Sequence, residues 1–352
     1  MSDPDRDQPE GAGGQPPAPP PQGRWRRRAG KAVAVCAWLS LVLILGLWAL
    51  LHAADLWWPA TLLMFSPRWL LLLPLAPLAL LAAALRRRSL GPLLLTALLV
   101  LGPVMGFCVP WQRLGPAPQG THLRLLTCNL HYREADPGAL DRLLAEARPD
   151  VVALQEWPGR RRPDPFAGGP WHVHRATGLF LASRYPIVRA ERCGADSTGE
   201  KGSVMRYELD TPAGLVTLFN VHLATPRQGL QAALRETGAA PAELEAGSAL
   251  RRRQSENLAQ EADRVTGPVL LVGDFNTPPQ SALFRQVWGR YPDAFGAAGW
   301  GWGYTFFAGT KAVRIDHVLV GPGWHCERCW VGPDVGSPHR PVLADLTWPA
   351  AP

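Results

Sequence analysis

The stretch V269-L-L-V-G-D-F-N276 decides how the rest of the chain is read. Four consecutive apolar residues predict a strand over Val269–Asp274 that is buried on both faces. It ends in a carboxylate and a carboxamide two positions apart. With T277-P-P behind them, Asp274 and Asn276 could simply form an Asx-type turn. Other segments end in the same way. V151-V-A-L-Q-E156 closes on Glu156, and F219-N-V-H222 puts Asn220 and His222 on one face. R314-I-D-H-V-L-V320 is expected to hold Asp316 in mid-strand among apolar neighbours. A buried carboxylate without a partner is costly, so each needs a cation, a donor or a raised pKa.

Each residue has an ordinary explanation when taken alone. His222 fits a satisfied core histidine, Glu156 a helix cap or a partner of Arg160, and Asp316 an ion pair with Arg314. Recurrence at strand ends changes the balance, because converging strand ends build polar pockets. Further strands are expected at Leu123–Asn129, Leu179–Ser183, Val204–Asp210, Leu215–His222 and Pro341–Trp348. Helices are expected after an Asp136 cap with Pro137 in first position, and around Leu250–Val265. Many strands and few helices over about 230 residues suit an α/β domain of two packed sheets better than one doubly wound sheet.

The chemistry of the set is legible. Carboxylate and amide oxygens without a thiolate cluster suit a hard cation, Mg²⁺ or Mn²⁺. C326-E-R-C329 is a single C-x-x-C with no second pair, so no zinc site is expected. Asparagines can orient phosphate oxygens or water, and a His with an Asp partner can move a proton or stabilise charge. Together these point to metal-assisted attack of water on a phosphate ester.

In order, LLTCNL, VVALQEW, FNVHL, LVGDFNTPP, GYTF, RIDHVLV and SPHRPV resemble the endonuclease/exonuclease/phosphatase superfamily over about residues 122–348. The resemblance implies a four-layer α/β sandwich with divalent-metal phosphoesterase chemistry. It implies that Glu156 is the main metal ligand, with Asn129 also at the metal. Asn220 and His222 match an N-x-H motif whose His contacts phosphate. Asp274 would orient or deprotonate water, with Asn276 holding the water and the phosphate. Asp316 would hold His339, and His339 would act on the phosphate or as the base. Thr305 and Arg314 are supporting candidates. Two departures stand out: Pro338 replaces the usual Asp before the terminal His, and His131 stands where some members have an acid.

The net charge of +7 sits mostly outside this region. Residues 1–31, 32–110 and 111–352 carry excesses of +2, +3 and +2, so the largest segment is nearly neutral. The basic pI therefore says little about a substrate. Ala32–Ala54, Trp69–Leu85 and Leu90–Val109 are nearly uncharged and long enough to cross a bilayer. The chain thus divides into a disordered basic tail (1–31), an all-α transmembrane anchor of about three helices (32–110), a linker (111–121) and a catalytic domain (122–349). Basic clusters at R24-W-R-R-R28 with Lys31 and at R86-R-R88 belong in the cytoplasm by the positive-inside rule. This predicts a multi-pass protein of the cell membrane, with the lipid bilayer as a partner and the catalytic domain outside the cytoplasm. There, one or two disulfides are possible among Cys128, Cys193, Cys326 and Cys329.

The leading expectation is a phosphodiesterase of endonuclease/exonuclease type. Its substrate is a phosphodiester, either nucleic acid or a phospholipid headgroup. R160-R-R162 and R251-R-R253 could supply basic patches for nucleic acid, although such runs are commonly solvated faces. Two alternatives stand beside it: a sphingomyelinase-like phospholipid phosphodiesterase, and a catalytically silent module that binds a phosphorylated ligand at the membrane.

Overall fold

The computed structural model describes residues 21–115, 118–132, 137–159, 165–193, 202–212, 214–235 and 238–349. The expected disorder up to residue 20, the Asp136 cap, the arginines at 160–162 and the centre of the linker lie outside them.

Helix α1 (Pro21–Leu51) is continuous. Residues 21–31, expected in a disordered tail, are therefore its first turns. Arginine is a good helix former, and no proline interrupts the chain between Gln22 and Trp58, so the helix propagates outward from the apolar run. Next come α2 (Trp58–Met64), α3 (Leu75–Leu85) and α4 (Leu90–Leu99). A wide turn containing Pro103 ends the last of these at Val104, short of the expected Val109. Gly23–Leu51, Arg68–Leu85 and Arg87–Val104 are long and apolar enough to cross a membrane. The expected linker is partly ordered, because Trp111–Leu114 forms a helical turn and the next strand already begins at Gly120.

The remaining elements are, in chain order, β1 (Gly120–Asn129), α5 (Pro137–Ala147), β2 (Val151–Gln155), β3 (His172–Ala176), β4 (Leu179–Ser183), β5 (Ile187–Cys193), β6 (Ser203–Thr211) and β7 (Gly214–His222). They continue with α6 (Arg227–Leu234), α7 (Ala240–Asp263), β8 (Val269–Asp274), α8 (Ala294–Ala298), β9 (Phe306–Ala308), β10 (Lys311–Val313), β11 (Asp316–Val320), β12 (His325–Val331) and β13 (Val342–Pro349). One sheet has the order β12-β13-β1-β2-β4-β3, the other β11-β8-β7-β6-β5, and β9 and β10 form a separate hairpin. Asp316 begins β11 instead of sitting in mid-strand, because the chain turns between Val313 and Asp316.

Side-chain alternation builds four layers. In β1, Leu123 and Leu125 enter the core between the sheets, while Leu126 and Cys128 face α5 with Leu143. In β8, Leu270 and Val272 enter the shared core, while Val269 and Leu271 face α7 with Leu258 and Ala262. Both central strands are covered on both faces, which explains their uninterrupted apolar runs. All six cysteines are free. Cys326 and Cys329 are buried in β12, and burial pushes the Cys326 thiol up to about 12.

Candidate active site

The strand register brings the polar residues to one end of both sheets. Asn129 lies opposite Gln155 in the parallel pair β1–β2, and His222 lies opposite Asp274 in the parallel pair β7–β8. β11 runs antiparallel to β8, with Asp316 opposite Asp274. Gly273 makes the close approach of β8 to β7 possible: at its φ of 134° a Cβ would lie 2.1 Å from the Val221 carbonyl oxygen. Glu156, Asn276 and His131 all hold left-handed backbone, with φ of 48°, 50° and 54°. Such conformations cost about 1–3 kcal/mol each in non-glycine residues and gather where a site demands a particular side-chain aim.

A chain of contacts runs across this end. The Asp316 carboxylate meets His339 Nδ1 at 2.9 and 3.1 Å. His339 Nε2 lies 3.9 Å from Asp274 Oδ2. Asn129 Nδ2 donates to Asp274 Oδ2 at 2.9 Å and to Glu156 Oε1 at 3.1 Å. The His131 main-chain N–H donates to Asn129 Oδ1 at 2.8 Å, which fixes the orientation of the amide. Asn129 therefore turns its NH₂ toward the carboxylates. In this orientation Asn129 holds Glu156 and Asp274 together through its NH₂ group, a donor with no lone pair for a cation.

His131 and His222 complete the ring around Glu156. His131 Nδ1 is 3.3 Å from Oε2, and His222 Nε2 is 3.5 Å from Oε1. Asn276 donates its main-chain N–H to Asp274 Oδ1 and its side-chain amide to the Leu223 carbonyl, both at 2.9 Å. The Asx-type turn is thus real, and its carboxylate also faces the pocket.

Asn220 does not join them. Its oxygen accepts from Gln155 Nε2 at 2.7 Å, and its nitrogen donates to the carbonyls of Phe180 and Leu154. With these bonds made and no exposed surface, it ties one sheet to the other beneath the site. It shares a face with His222, as expected, but lies one step deeper in the core.

Supporting residues are also resolved. Thr305 Oγ1 accepts from the main-chain N–H groups of Ile315 and Asp316, setting the turn that aims Asp316. Arg314 pairs with Asp293 at 2.6 Å and not with Asp316. Ser337, the serine of the SPHRPV motif, donates to the Asn129 carbonyl at 2.6 Å and accepts from the His339 N–H at 3.1 Å. The Pro338 carbonyl accepts from the Phe307 N–H, and the Phe306 ring lies edge-on to His339.

Electrostatics follow from burial. Burial pushes the Asp274 carboxyl up and the charge of Asp316 adds to this, against His339, His222 and Asn129. Burial alone would depress His339, but Asp316, Asp274 and Glu156 outweigh it and push it up to about 9. Two carboxylates, Glu156 and Asp274, converge on one amide, and oxygen donors of this kind suit a hard divalent cation. Asp274, Asp316 and His339 also have potential ligand atoms within 4.8 Å of one another. Asp316 and His339 Nδ1 are engaged with each other, however, leaving Asp274 and His339 Nε2 to face the pocket. That pocket has a volume of about 450 Å³ and a floor that includes Glu156, His222, Asp274, Asn276 and His339.

The arrangement of sheets is matched among known proteins. The profile of the Endonuclease/Exonuclease/phosphatase family matches residues 126–339. No curated protein matches the chain. Among solved structures, the 3′ phosphatase NExo from Neisseria, bound to product DNA hairpin, is 19% identical with a TM-score of 0.50, covering 64% of this chain and 100% of its own. An endonuclease/exonuclease/phosphatase from Beutenbergia cavernae is 21% identical with a TM-score of 0.44, covering 66% and 73%. D. rerio TDP2, complexed with single-strand DNA product, is 15% identical with a TM-score of 0.47, covering 64% and 99%. Two packed sheets, the ordered strand-end motifs and a family match across most of the described α/β unit lead to one conclusion: the chain belongs to the endonuclease/exonuclease/phosphatase family.

Proposed function

We propose that this protein is a divalent-metal-dependent hydrolase of phosphate esters, a phosphodiesterase, held in the cell membrane with its catalytic domain outside the cytoplasm. The observation that carries the reading is the continuous run Asp316–His339–Asp274–Asn129–Glu156 at the floor of an open pocket. Glu156 and Asp274 would hold the cation. When bound, Mg²⁺ or Mn²⁺ supplies the positive charge that phosphate oxygens need as negative charge develops on them.

The chain's own residues divide the remaining work. A His339 pushed up to about 9 is an imidazolium at neutral pH, suited to donating Nε2–H to a phosphate oxygen. Asp316 keeps that ring charged and oriented. Asp274, whose carboxyl burial pushes up in the metal-free protein, faces the same space and would orient the attacking water beside the cation. Asn276 fixes Asp274 from behind, and His222 faces the same space from β7. The losses of acid at positions 131 and 338 leave Glu156 and Asp274 as the carboxylates for the metal. The test is hydrolysis of bis(p-nitrophenyl) phosphate by the full chain with Mg²⁺ or Mn²⁺, against EDTA and Glu156→Ala. A full chain as inert as the variant would support the silent ligand-binding reading instead.

The membrane placement rests on where the ends of the apolar helices lie. The Ala54 carbonyl accepts from the Ala282 N–H, Asp55 pairs with Arg251, and the Leu101 carbonyl accepts from Trp302 Nε1. The end of the first span and the end of the third thus meet the catalytic domain together. At the opposite end Gly30 packs by the Leu85 carbonyl, which gathers both arginine clusters there. Positive residues belong on the cytoplasmic side. A reporter fused after Pro352 tests this, and a cytoplasmic signal would refute it.

As to substrate, a nuclease reading draws on neighbours named with DNA. The near-neutral catalytic region offers it little electrostatic support. Arg251, one of the arginines considered for a basic patch, is fully buried against Asp55.

A further inference from the structure

The anchor does more than tether the domain, because it supplies a wall of the pocket. Phe65, between the first and second spans, lines the cavity that contains Glu156 and His339. It belongs to an apolar cluster shared by both parts of the molecule, with Met64 and Val104 from the anchor and Val313 and Ile315 from the catalytic domain. Leu230 and Phe306 pack against the same cluster. The pocket is therefore two-sided, with a polar floor of carboxylates and imidazoles and an apolar flank of Phe65, Leu230, Leu234, Phe306 and Phe307.

That flank adjoins the start of the second span. Trp69, the second residue of the second span, donates its indole N–H to the Thr310 carbonyl at 3.0 Å. Thr310 is in the tip of the β9–β10 hairpin, whose Phe306, Phe307 and Lys311 line the pocket. The hairpin is thus tied to the start of a span, next to exposed aromatics that suit the headgroup layer, Trp57 and Trp69. Leu234, at the end of α6, is 70% exposed although it lines a pocket, and an apolar ligand would cover it. Arg227 and Lys311 also line the cavity and provide positive charge for an anionic headgroup.

We infer that the pocket takes an amphiphilic substrate from the bilayer: a membrane phospholipid whose phosphate reaches the polar floor while its apolar part lies along the Phe65–Leu230–Leu234 flank. The inference rests on the phosphoester-hydrolase reading and names its substrate class. Water oxygen forms a new bond to phosphorus and one ester P–O bond breaks. The departing alkoxide gains a proton, so one water yields an alcohol and a phosphate acid.

The test uses the full chain in nanodiscs of phosphatidylethanolamine, phosphatidylglycerol, cardiolipin and phosphatidic acid with Mn²⁺, and mass spectrometry of the released products. Parallel assays use bis(p-nitrophenyl) phosphate and single-stranded DNA. Phospholipid turnover by the wild type is expected. Leu234→Asp, at an exposed position, and Phe65→Asp should each lower the ratio of phospholipid to soluble-ester turnover at least tenfold, through KM more than kcat. Phe65→Leu should restore most of it. Hydrolysis of DNA or the soluble ester without phospholipid turnover, or an unchanged ratio in Leu234→Asp, overturns this inference and leaves the hydrolase reading standing. A full chain inert on every substrate overturns both.

Discussion

His339 Nδ1 and Asp316 Oδ2 lie 2.9 Å apart, and both side chains are buried, one from the turn before β13 and the other from the first residue of β11. A buried imidazole beside a buried carboxylate keeps its proton. In the metal-free protein His339 is pushed from 6.5 to about 9, so its charge persists where a free histidine has lost it. The folded value exceeds the unfolded one. The stabilisation is therefore complete below about pH 6.5 and is lost as pH rises through about 9. Proton-detected titration of the His339 ring should show this midpoint, and Asp316→Asn should move it below neutrality. An unchanged midpoint in the variant would remove Asp316 as the cause.

The same pair governs the proposed chemistry. His339→Ala should lower kcat on bis(p-nitrophenyl) phosphate by about 10²–10⁴-fold, the range for a positioned proton-transfer or charge-stabilising group. Asp316→Asn should fall in the same direction and add little in the double variant, because the two act as a unit. Steady-state kinetics of the two single variants and the double variant check this, and multiplicative losses would argue for independent roles.

Metal binding has a readout that needs no turnover. At free Mn²⁺ about a hundredfold above Kd, a ligand bound only by the native state stabilises by about 2.7 kcal/mol. The wild type should show a corresponding rise in Tm that EDTA reverses. Glu156→Gln keeps the shape of the side chain and removes its charge, so most of that rise should vanish. Equal rises in both proteins would place the cation elsewhere.

Asn220 separates a structural from a substrate-contacting role. Asn220→Ala removes three buried hydrogen bonds, to the Gln155 amide and to the carbonyls of Phe180 and Leu154. Each such bond contributes about 0.5–1.5 kcal/mol. Thermal denaturation should show a clear loss of stability while KM for the soluble ester stays within about twofold of wild type. A large KM change in a protein of unchanged Tm would restore the phosphate-contact reading.

Two buried ion pairs make opposite kinds of prediction. Asp55 and Arg251, 2.6 Å apart and both buried, join the N-terminal helical region to α7. Arg251→Met should cost about 3–5 kcal/mol by stranding a buried carboxylate, and adding Asp55→Leu should recover much of the loss. In the other pair, burial opposes the charge on Asp293, but Arg314 and His317 overcome it and hold the carboxyl at about 2, below 3.8. A depressed folded value gives stability that is present above about pH 3.8 and lost as pH falls through about 2. The contribution is about 2 kcal/mol. Asp293→Asn should flatten acid unfolding across that window.

The sequence determined the strands whose two faces are both buried and the polar residues at their ends. β2, β4, β8 and the core of β1 are apolar runs that burial on both faces requires, and Glu156, His222 and Asp274 end or follow such strands where a change to polarity is informative. The expectations also held the membrane-length helices, since hydropathy over about 20 residues is a local property. Tertiary structure decided what local pattern does not encode. β3, β5 and β12 are HVHRA, IVRAERC and HCERCWV, charged edge strands whose pairing comes from the neighbour and not from their own hydrophobicity. Asn220 and His222 share a strand face, yet only the packing of one sheet on the other shows that Asn220 is spent between the sheets while His222 reaches the pocket. Ser337 matters only because β1 brings the Asn129 carbonyl to it, and Phe65 lines the site from 91 residues before Glu156 because the N-terminal helical region packs against the hairpin. Contacts between residues so far apart depend on which apolar faces pack together, and that is a property of the whole chain.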